Sequence, residues 1–457
     1  MTEVPVSPSP ARQRQNPRPP GPHGRFLLGV LPELMADPLA TLQAAARYGD
    51  IVGLPALGKT VYFLNHPDYL RHVLVDNARN YSKGPALKAT RRLTGGGILT
   101  SEGEDHTRQR RFASPAFHRQ SVSAYAGMMV ALAERYLDSW QPGEQRDIHV
   151  DMMALTLEVV ANCLFGANLS ADDGQLARAL GNFIDDFSPL DITRLAPWLE
   201  KLPTPRQLRR DHNVRVLEGA IARIVAGGRA QSVAGGGLLP LLLAALEEGK
   251  EGVTETRVRD EVMTLFLAGQ ETTGPALTWT FYLLSKHPEE EGRLQAELDR
   301  VLGDRLPTAT DYPELQFTRM VFSEALRLYP PAWGLGRQAL AQDEIGGYHI
   351  PKGTTVVMSQ YVMHRNPAYW EAPDEFHPDR FLPGAQANRS QYTFIPFGAG
   401  HRMCLGEQFA WMEGVMLIAA IARRFHLRLA PDARVEPVAR MSIRLKHGLP
   451  MFVEPRL

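Results

Sequence analysis

The sequence predicts a mainly α fold with small β-sheets. Most of the chain carries apolar residues at helical spacing, and strand-like segments are few and short. No internal repeat and no linker divides the chain after its first 20 residues. The strands do not alternate with helices as a doubly wound sheet or a barrel requires. We therefore expect one helical domain, residues 21–457.

The predicted elements follow one another as a tail, a hairpin, long helices and two small sheet regions. Residues 1–20 hold six prolines and no apolar stretch, which predicts a disordered tail and neither a signal peptide nor a membrane anchor. Asp50–Leu54 and Thr60–Leu64 flank a Gly58–Lys59 turn and predict a hairpin. Ile345–Gln360 and Met441–Val453 predict further strands. Helices are predicted over Ser121–Trp140, Met152–Phe165, Arg215–Ala226, Arg257–Lys286, Pro288–Leu302, Arg319–Tyr329 and Leu405–Phe425.

Composition excludes several classes of protein. Lys plus Arg and Asp plus Glu each number 50, so no net charge favours nucleic acid or an anionic membrane. The longest aliphatic run, Leu238–Leu246, is far shorter than the roughly 20 residues that span a bilayer. Two cysteines cannot form a disulfide framework or a four-thiolate metal site, so a reducing cytoplasm is expected. Cys163 lies in the apolar segment ANCLFG and is expected to be a core residue.

The segment FGAGHRMCLG, residues 397–406, is the most informative part of the chain. Cys404 follows a glycine-rich turn and precedes a predicted helix, whose N-terminal dipole stabilises a thiolate. Gly398, Gly400 and Gly406 allow a close approach to a flat partner and positive φ where it is needed. Arg402 is placed to pair with an anionic edge of that partner. An arbitrary cysteine is more often simply buried, but these features together favour a ligand.

Five positions of this segment resemble the haem-binding loop of the cytochrome P-450 family. Phe397, Gly400, Arg402, Cys404 and Gly406 match every position of F-x-x-G-x-R-x-C-x-G. The resemblance extends over nearly the whole chain after the tail. It implies a triangular single domain in which haem b lies between a long central helix and the helix of the cysteine loop. It also implies that Cys404 is the axial ligand of the iron.

The middle of the predicted central helix reads AGQETTGP, residues 268–275. Glycines weaken a helix, and Pro275 has no N–H to donate, so a local distortion over 269–275 is expected. The segment resembles the family's oxygen-activation stretch, which implies that Glu271 is the acid and Thr272 the alcohol of a proton relay leading to solvent. Ala268 would leave room for O₂ beside the iron. An incidental kink with a merely solvated Glu271 is the alternative.

Two further motifs resemble family signatures. Glu324 and Arg327 are spaced to share a helix face, where a surface salt bridge is the ordinary interpretation. The resemblance to E-x-x-R, together with FHPDRF and its Arg380, implies instead a buried network behind the cysteine loop.

The resemblance also assigns partners for the haem propionates. Each alone would more often be a solvated side chain, but as a set they supply the donors that carboxylates favour. His106 stands where the family often has tryptophan. The set is His106, Arg110, Arg337 and Arg402.

Segments that the family places over the haem predict a largely apolar substrate pocket. Core packing is the more ordinary role for any one of these residues. The motif wording is closer to fatty-acid and terpenoid oxidising relatives than to camphor-type members. Leu195–Leu199 would form a lip at the entrance. The expected pocket residues are Leu87, Ile98, Leu99, Phe187, Ala268, Ala332, Trp333 and Leu335.

The function implied is that of a soluble, cytoplasmic, monomeric haem-thiolate monooxygenase that inserts one atom of O₂ into an apolar small molecule such as a fatty acid, terpenoid or steroid. No flavin-binding or iron–sulfur segment is present in the sequence, so NAD(P)H electrons must arrive through an external ferredoxin and ferredoxin reductase. Arg108 and Arg111 are the expected docking cations. A peroxide-driven peroxygenase, a haem-thiolate isomerase and a non-catalytic haem sensor or ligand carrier remain alternatives, against which Glu271 and Thr272 argue.

Overall fold

The predicted mainly α architecture is confirmed. The computed structural model describes residues 18–88, 90–167, 179–182, 204–228, 237–385 and 387–456. Its helices are α1 Leu31–Ala36, α2 Pro38–Ala46, α3 Pro67–Arg71, α4 Pro85–Lys88, α5 Arg91–Thr94, α6 Gly103–Ala113, α7 Arg119–Leu137, α8 Ile148–Phe165, α9 Pro205–Gly228, α10 Leu238–Glu247, α11 Glu255–Lys286, α12 Pro288–Leu302, α13 Gln316–Leu328, α14 Gln360–Met363 and α15 Glu407–Arg424.

The described strands form four small sheets at the margins of the helices. Five strands pair in the order β1-β2-β8-β5-β3 and three in the order β4-β12-β9, while β6-β7 and β10-β11 are hairpins. The strands are β1 Ile51–Ala56, β2 Lys59–Leu64, β3 Tyr81–Lys83, β4 Gln145–Asp147, β5 Leu335–Ala339, β6 Asp343–Ile345, β7 Tyr348–Ile350, β8 Thr355–Met358, β9 Phe425–Leu429, β10 Pro437–Ala439, β11 Ile443–Leu445 and β12 Pro450–Pro455.

The N-terminal segment differs from the sequence prediction in two details. Residues 1–17 of the expected tail lie outside the described residues. Pro19 is buried, and the carbonyl of Pro20 accepts a hydrogen bond from Gly53 N–H at 2.8 Å, so the ordered chain begins before residue 21. The first hairpin is confirmed, but its turn is Leu57–Gly58 rather than Gly58–Lys59, since both of the former have positive φ.

The core is built around α8 and α11, which pack side by side and contact α7, α13 and α15. The Asp147 carboxylate caps α8 by accepting from the N–H of His149 and Val150. By length and composition α8 would span a membrane, yet most of its side chains are buried among the other helices. That burial is what a core helix of a folded domain requires.

The long helix α11 begins at Glu255, two residues before the predicted start at Arg257, and ends at Lys286 as predicted. Thr254 Oγ1 caps it by accepting from Arg257 N–H at 3.1 Å, and it ends at Lys286 before Pro288. The predicted distortion over 269–275 is wrong, because the helix is continuous through Pro275.

The two glycines of α11 serve close packing on α8. A Cβ at Gly269 would lie 2.4 Å from Val160 Cγ2, and one at Gly274 would lie 2.7 Å from Met153 Sδ. Such separations are far shorter than van der Waals contact, so a larger residue at either position would force the facing side chain of α8 to move. Gly269 and Gly274 therefore bring two helices together rather than break one.

Candidate functional site

The cysteine loop is folded by its own backbone and by two neighbouring segments. Cys404 N–H donates to the Phe397 carbonyl at 2.9 Å, and Arg110 Nη1 donates to the Met403 carbonyl at 2.7 Å. At Gly400 φ is +70°, and a Cβ there would lie 1.9 Å from the Leu74 carbonyl oxygen. Both conformation and contact therefore require glycine at this position.

The glycines and the helix start differ in part from the prediction. Gly398 has φ +74° as expected, whereas Gly406 is the N-cap of α15 with φ −85° and needs no special conformation. The helix starts at Glu407, two residues later than predicted. Cys404 therefore lies just before the cap, where its sulfur still meets the N-terminal end of α15.

The two cysteines have opposite surroundings. Cys163 is 2% exposed within α8, which confirms its core position, and burial raises the pKa of its thiol. Cys404 is exposed, although dense protein around its sulfur raises the pKa of its thiol by desolvation. A hydrogen bond from Gly406 and the charge of Arg110 oppose that rise. Cys404 is therefore an exposed residue whose sulfur is nevertheless surrounded by protein atoms.

The E-x-x-R network is buried as the resemblance implied. Arg327 Nε and Nη2 donate to the two Glu324 carboxylate oxygens at 2.7 and 2.8 Å, and neither side chain is exposed. Arg380 Nε donates to Glu324 Oε1 at 3.2 Å, and His377 N–H donates to the same oxygen at 2.9 Å. The carboxylate is thus surrounded by four donors, which stabilises its charge without water.

A chain of hydrogen bonds links this network to the cysteine loop. Arg327 Nη1 donates to the His364 carbonyl at 2.9 Å, and the His364 ring Nε2 accepts from Ile395 N–H at 3.0 Å. Ile395 lies two residues before Phe397, whose carbonyl binds the Cys404 N–H. Burial, with the charge of Arg327, lowers the pKa of His364 to about 3, so the ring stays neutral and can accept.

Buried cations converge on the other side of the loop. Lys83 and Arg337 are directly opposite each other on β3 and β5, and both are less than a tenth exposed. Burial, followed by the nearby charge of Arg402, lowers the pKa of both side chains. The pKa of Lys83 falls to about 7 and that of Arg337 to about 10. Arg402 itself pairs with Glu102. Like charges so placed are unfavourable unless an anion joins them.

The remaining predicted propionate residues lie beside this group. His106 is 4% exposed, and its ring faces that of His401 with centroids 6.4 Å apart. Burial, followed by the charge of Arg402, lowers the pKa of His106 to about 3, so it is a neutral hydrogen-bond donor. The charge of Arg110 is a further cause that lowers the pKa of both Lys83 and His106. The predicted set is therefore brought together, with Lys83 as a member the sequence reasoning missed.

One face of α11 is partly accessible. Between residues 260 and 281 every described side chain is buried except at Ala268, Gly269 and Thr272, which share a face at i, i+1 and i+4. Thr272 Oγ1 donates to the Ala268 carbonyl at 2.8 Å. This face leaves space for a small molecule next to a hydroxyl group.

The carboxylate of Glu271 does not lead to solvent as expected. Glu271 is 2% exposed, its Oε1 accepts from Ser442 Oγ at 2.7 Å and from Arg444 Nε at 2.8 Å, and its Oε2 pairs with Arg444 Nη2. Ser442 and Arg444 alternate with the apolar residues Met441, Ile443 and Leu445 in the sequence, and this alternation is the sequence signal for the pair.

A sequence model of the Cytochrome P450 family matches residues 19–452. This chain belongs to the cytochrome P450 family. It is 36% identical to cyclooctatin synthase of Streptomyces melanosporofaciens over 441 residues, which cover 95% of each chain. It is 35% identical to cyclooctat-9-en-7-ol 5-monooxygenase of the same species over 438 residues, 94% of each. Pentalenene oxygenase of Streptomyces avermitilis is 32% identical over 414 residues, which cover 89% of this chain and 90% of that one.

As a cytochrome P450, the protein is a haem-thiolate monooxygenase of apolar substrates that uses haem b, O₂ and electrons from NAD(P)H through redox partners. The described residues fit haem b, since a thiol of the accessible Cys404 and a group of buried cations lie on one loop and its neighbours. Arg337 Nη1 donates to the Gly336 carbonyl at 3.0 Å, and its guanidinium carries further N–H donors that suit a carboxylate.

The predicted substrate residues are partly accessible where the structure describes them. Leu87, Leu99, Ala332, Trp333 and Leu335 are half-buried. Phe187 and the lip Leu195–Leu199 lie outside the described residues.

Ile98 is buried, and its loop is fixed to α11. Its N–H donates to Glu261 Oε2 at 3.0 Å, and Gly96 N–H donates to Asp260 Oδ2 at 2.7 Å. Burial raises the pKa of Glu261 to about 7. Two adjacent carboxylates of α11 therefore hold the loop that carries Ile98 in place.

The predicted docking cations differ from each other. Arg108 forms ion pairs with Glu251 at 2.7 Å and Asp105 at 3.5 Å, so its charge is balanced within the chain. Arg111 is exposed. Of the two predicted cations, Arg111 is therefore the more exposed.

Proposed function

We propose that this cytochrome P450 hydroxylates a terpenoid hydrocarbon or alcohol, with electrons delivered by a ferredoxin and its reductase. Its relatives are named for cyclooctatin, cyclooctat-9-en-7-ol and pentalenene, compounds of that class, and two of them match at least 94% of this chain. An apolar, half-buried set of side chains that includes Trp333 and Leu335 supports an apolar substrate.

Cys404 is the proposed axial ligand of the haem iron. Its accessibility, the rigid turn before it and the N-terminus of α15 after it support this role. Haem bound in this way supplies the activation of O₂ and the insertion of one oxygen atom into a C–H bond. His106, Arg110, Arg337, Arg402 and Lys83 are the proposed partners of its carboxylates.

Thr272 and Glu271 are the proposed proton-handling residues. The Thr272 hydroxyl lies on the accessible face of α11 and, by rotating away from the Ala268 carbonyl, can donate its hydrogen into that space. Glu271 is the nearest carboxylate along the helix and can return a proton to that hydroxyl once it has received one itself. An intact acid and alcohol favour use of O₂ over use of peroxide.

The proposed surroundings are the cytoplasm and a small acidic electron donor. Both cysteines are free thiols, which suits a reducing compartment. Arg111 is exposed and follows Arg110, which binds the cysteine loop at the Met403 carbonyl, and this supports docking of an acidic ferredoxin. An electron-transfer rate that does not fall as salt is added would contradict the docking.

The test of the proposed substrate class uses purified holoprotein with a surrogate ferredoxin, its reductase and NADPH. Pentalenene, cyclooctat-9-en-7-ol and a fatty acid such as lauric acid are added separately, and binding is followed by the high-spin shift of the haem band. We expect a shift and a product heavier by one oxygen atom with a terpenoid probe. Turnover of the fatty acid alone, or product with peroxide but never with O₂ and NADPH, would contradict the proposal.

A further inference from the structure

The acid of the oxygen-activation stretch is held by a hairpin far along the chain. Glu271 accepts two donors from Arg444 and one from Ser442, and the two charged side chains are 3% and 8% exposed. A bidentate pair with an added hydroxyl satisfies most of the lone pairs of a carboxylate. Both oxygens of Glu271 are thereby paired, and its carboxylate is held in one orientation.

The β10–β11 hairpin, which carries Arg444 and Ser442, is hydrogen-bonded to α11 and to the segment that contains Trp333. β10 and β11 pair in register from 437 to 445, with Ser442 and Arg444 on one face and Ile443 and Leu445 on the other. Trp279 Nε1, on α11, donates to the Ile443 carbonyl at 3.1 Å.

The substrate-side segment binds the same hairpin. Trp333 Nε1 donates to the Arg440 carbonyl at 3.0 Å, and the Ile443 N–H donates to the Pro331 carbonyl at 3.3 Å. The predicted substrate-side residue Trp333 is therefore bonded directly to the hairpin.

The other ionisable groups near the pair do not replace Arg444. His149 on α8 is close to it, but burial, with the charge of Arg444, lowers the pKa of His149 to about 4, so the ring is neutral at pH 7. Asp147, at the start of α8, is an anion occupied in capping that helix and in accepting from Leu449 N–H. Arg444 is therefore the cation that holds Glu271 ionised.

Proton handling by Glu271 conflicts with this resting arrangement. Both oxygens of the carboxylate are paired with Arg444, and protonating it beside a buried guanidinium is unfavourable. Glu271 can take up and pass on a proton only after the contact with Arg444 loosens. Because Arg444 and Ser442 move with the hairpin, the position of the hairpin controls that event.

We propose that Arg444 and Ser442 are positioning residues for Glu271, holding its carboxylate ionised and turned onto the β10–β11 hairpin, so that displacement of the hairpin controls proton delivery. This inference rests on the proposed role of Glu271. The hairpin is then the element through which an occupied substrate site reaches the proton path.

The first test needs no substrate. Infrared difference spectra of holoprotein are recorded over a pH series, and the carboxyl C=O band of Glu271 is identified by its loss in Glu271→Gln. We expect the midpoint of this band to rise by at least one pH unit in Arg444→Gln, by less in Ser442→Ala, and to return toward the wild-type value in Arg444→Lys. An unchanged midpoint in Arg444→Gln and Ser442→Ala would overturn the proposal.

Lys446→Gln is the matched control for this test. Lys446 lies two residues further along the same chain segment, and its ion pair with Glu436 is exposed. Its loss should leave the Glu271 band where it is. If Arg444→Gln does not fold, Ser442→Ala still decides the outcome, because it removes one hydrogen bond and leaves both charges paired.

The second test uses turnover of the terpenoid probe that gives product. In Arg444→Gln we expect the yield of product per NADPH to change at least threefold. The pH profile of that yield should move to higher pH. With hydrogen peroxide, which brings its own protons, activity should stay within twofold of wild type. Adding Arg444→Gln to Glu271→Gln should have no further effect on the pH profile.

The proposed role of Glu271 and the positioning role of Arg444 are contradicted by different results. If Glu271→Gln leaves product yield and its pH profile unchanged, the proposed role of Glu271 is wrong. If Glu271→Gln alters them but Arg444→Gln does not, the positioning role of Arg444 is wrong. If no probe gives product, the proposed substrate class fails, and the infrared test still decides whether Arg444 holds Glu271.

Discussion

Removal of Glu324 should abolish stable haem protein. Glu324→Ala leaves the fully buried Arg327 without its counterion, which costs about 3–5 kcal/mol. It also leaves the His377 N–H without its acceptor, at a further cost of about 1–3 kcal/mol if no water reaches it. The sum, about 4–8 kcal/mol, is comparable to the whole stability of a typical domain, about 5–15 kcal/mol.

The assay compares this variant with a matched surface arginine. Urea unfolding and haem content per chain are measured for Glu324→Ala and for Arg293→Ala, whose ion pairs with Glu290 and Asp379 lie at a partly exposed site. Loss of Arg293 should cost less than about 1 kcal/mol and leave haem content unchanged. Wild-type stability and haem content in Glu324→Ala would refute the reasoning.

Three further predictions concern the hydroxyl, the loop and pH. Thr272→Ala should raise the hydrogen peroxide released per NADPH severalfold while Thr272→Ser stays near wild type, and equal peroxide yields would contradict the role of the hydroxyl. Gly400→Ala should prevent haem retention because its Cβ would meet the Leu74 carbonyl, whereas Gly103→Ala, at φ +56° with no neighbour, should cost about 1–2 kcal/mol and keep the haem. The folded pKa of His364, about 3, is below its unfolded value, so the unfolded state binds the extra proton first. The contribution of His364 to stability should therefore fall by about 1.4 kcal/mol per pH unit from about pH 6.5 down to about pH 3. His364→Gln should reduce that slope by one proton in urea titrations, and an unchanged slope would contradict it.

The fold class and the cysteine loop were predictable because they depend on local sequence. Helical periodicity and caps such as Thr254 act within a few residues, and the spacing of Gly400, Arg402 and Cys404 is fixed by one short turn. Spacing alone put Glu324 and Arg327 on one helix face. Their burial followed only from the resemblance, since the carbonyls of residues 364, 373 and 375 that complete the Arg327 shell come from a segment without regular structure.

The sequence predictions that were wrong or incomplete concern residues whose contacts lie in distant segments of the chain. Gly269 predicts a weak helix by its intrinsic propensity, but the side chain of Val160 explains its presence. The sequence around Lys83 does not indicate that it lies opposite Arg337 on the neighbouring strand. The sequence predicted that Glu271 leads to solvent, because its partner Arg444 lies 173 residues away and is not evident from the local sequence.

The account depends most on the bond between the Cys404 sulfur and the haem iron. The decisive measurement is the absorption spectrum of the reduced carbon-monoxide complex of three purified proteins: wild type, Cys404→Ser and Cys163→Ser. We predict the strongly red-shifted band of a thiolate ligand in wild type and in Cys163→Ser, and its loss in Cys404→Ser. Retention of that band in Cys404→Ser, or its absence from haem-loaded wild type, would contradict the account.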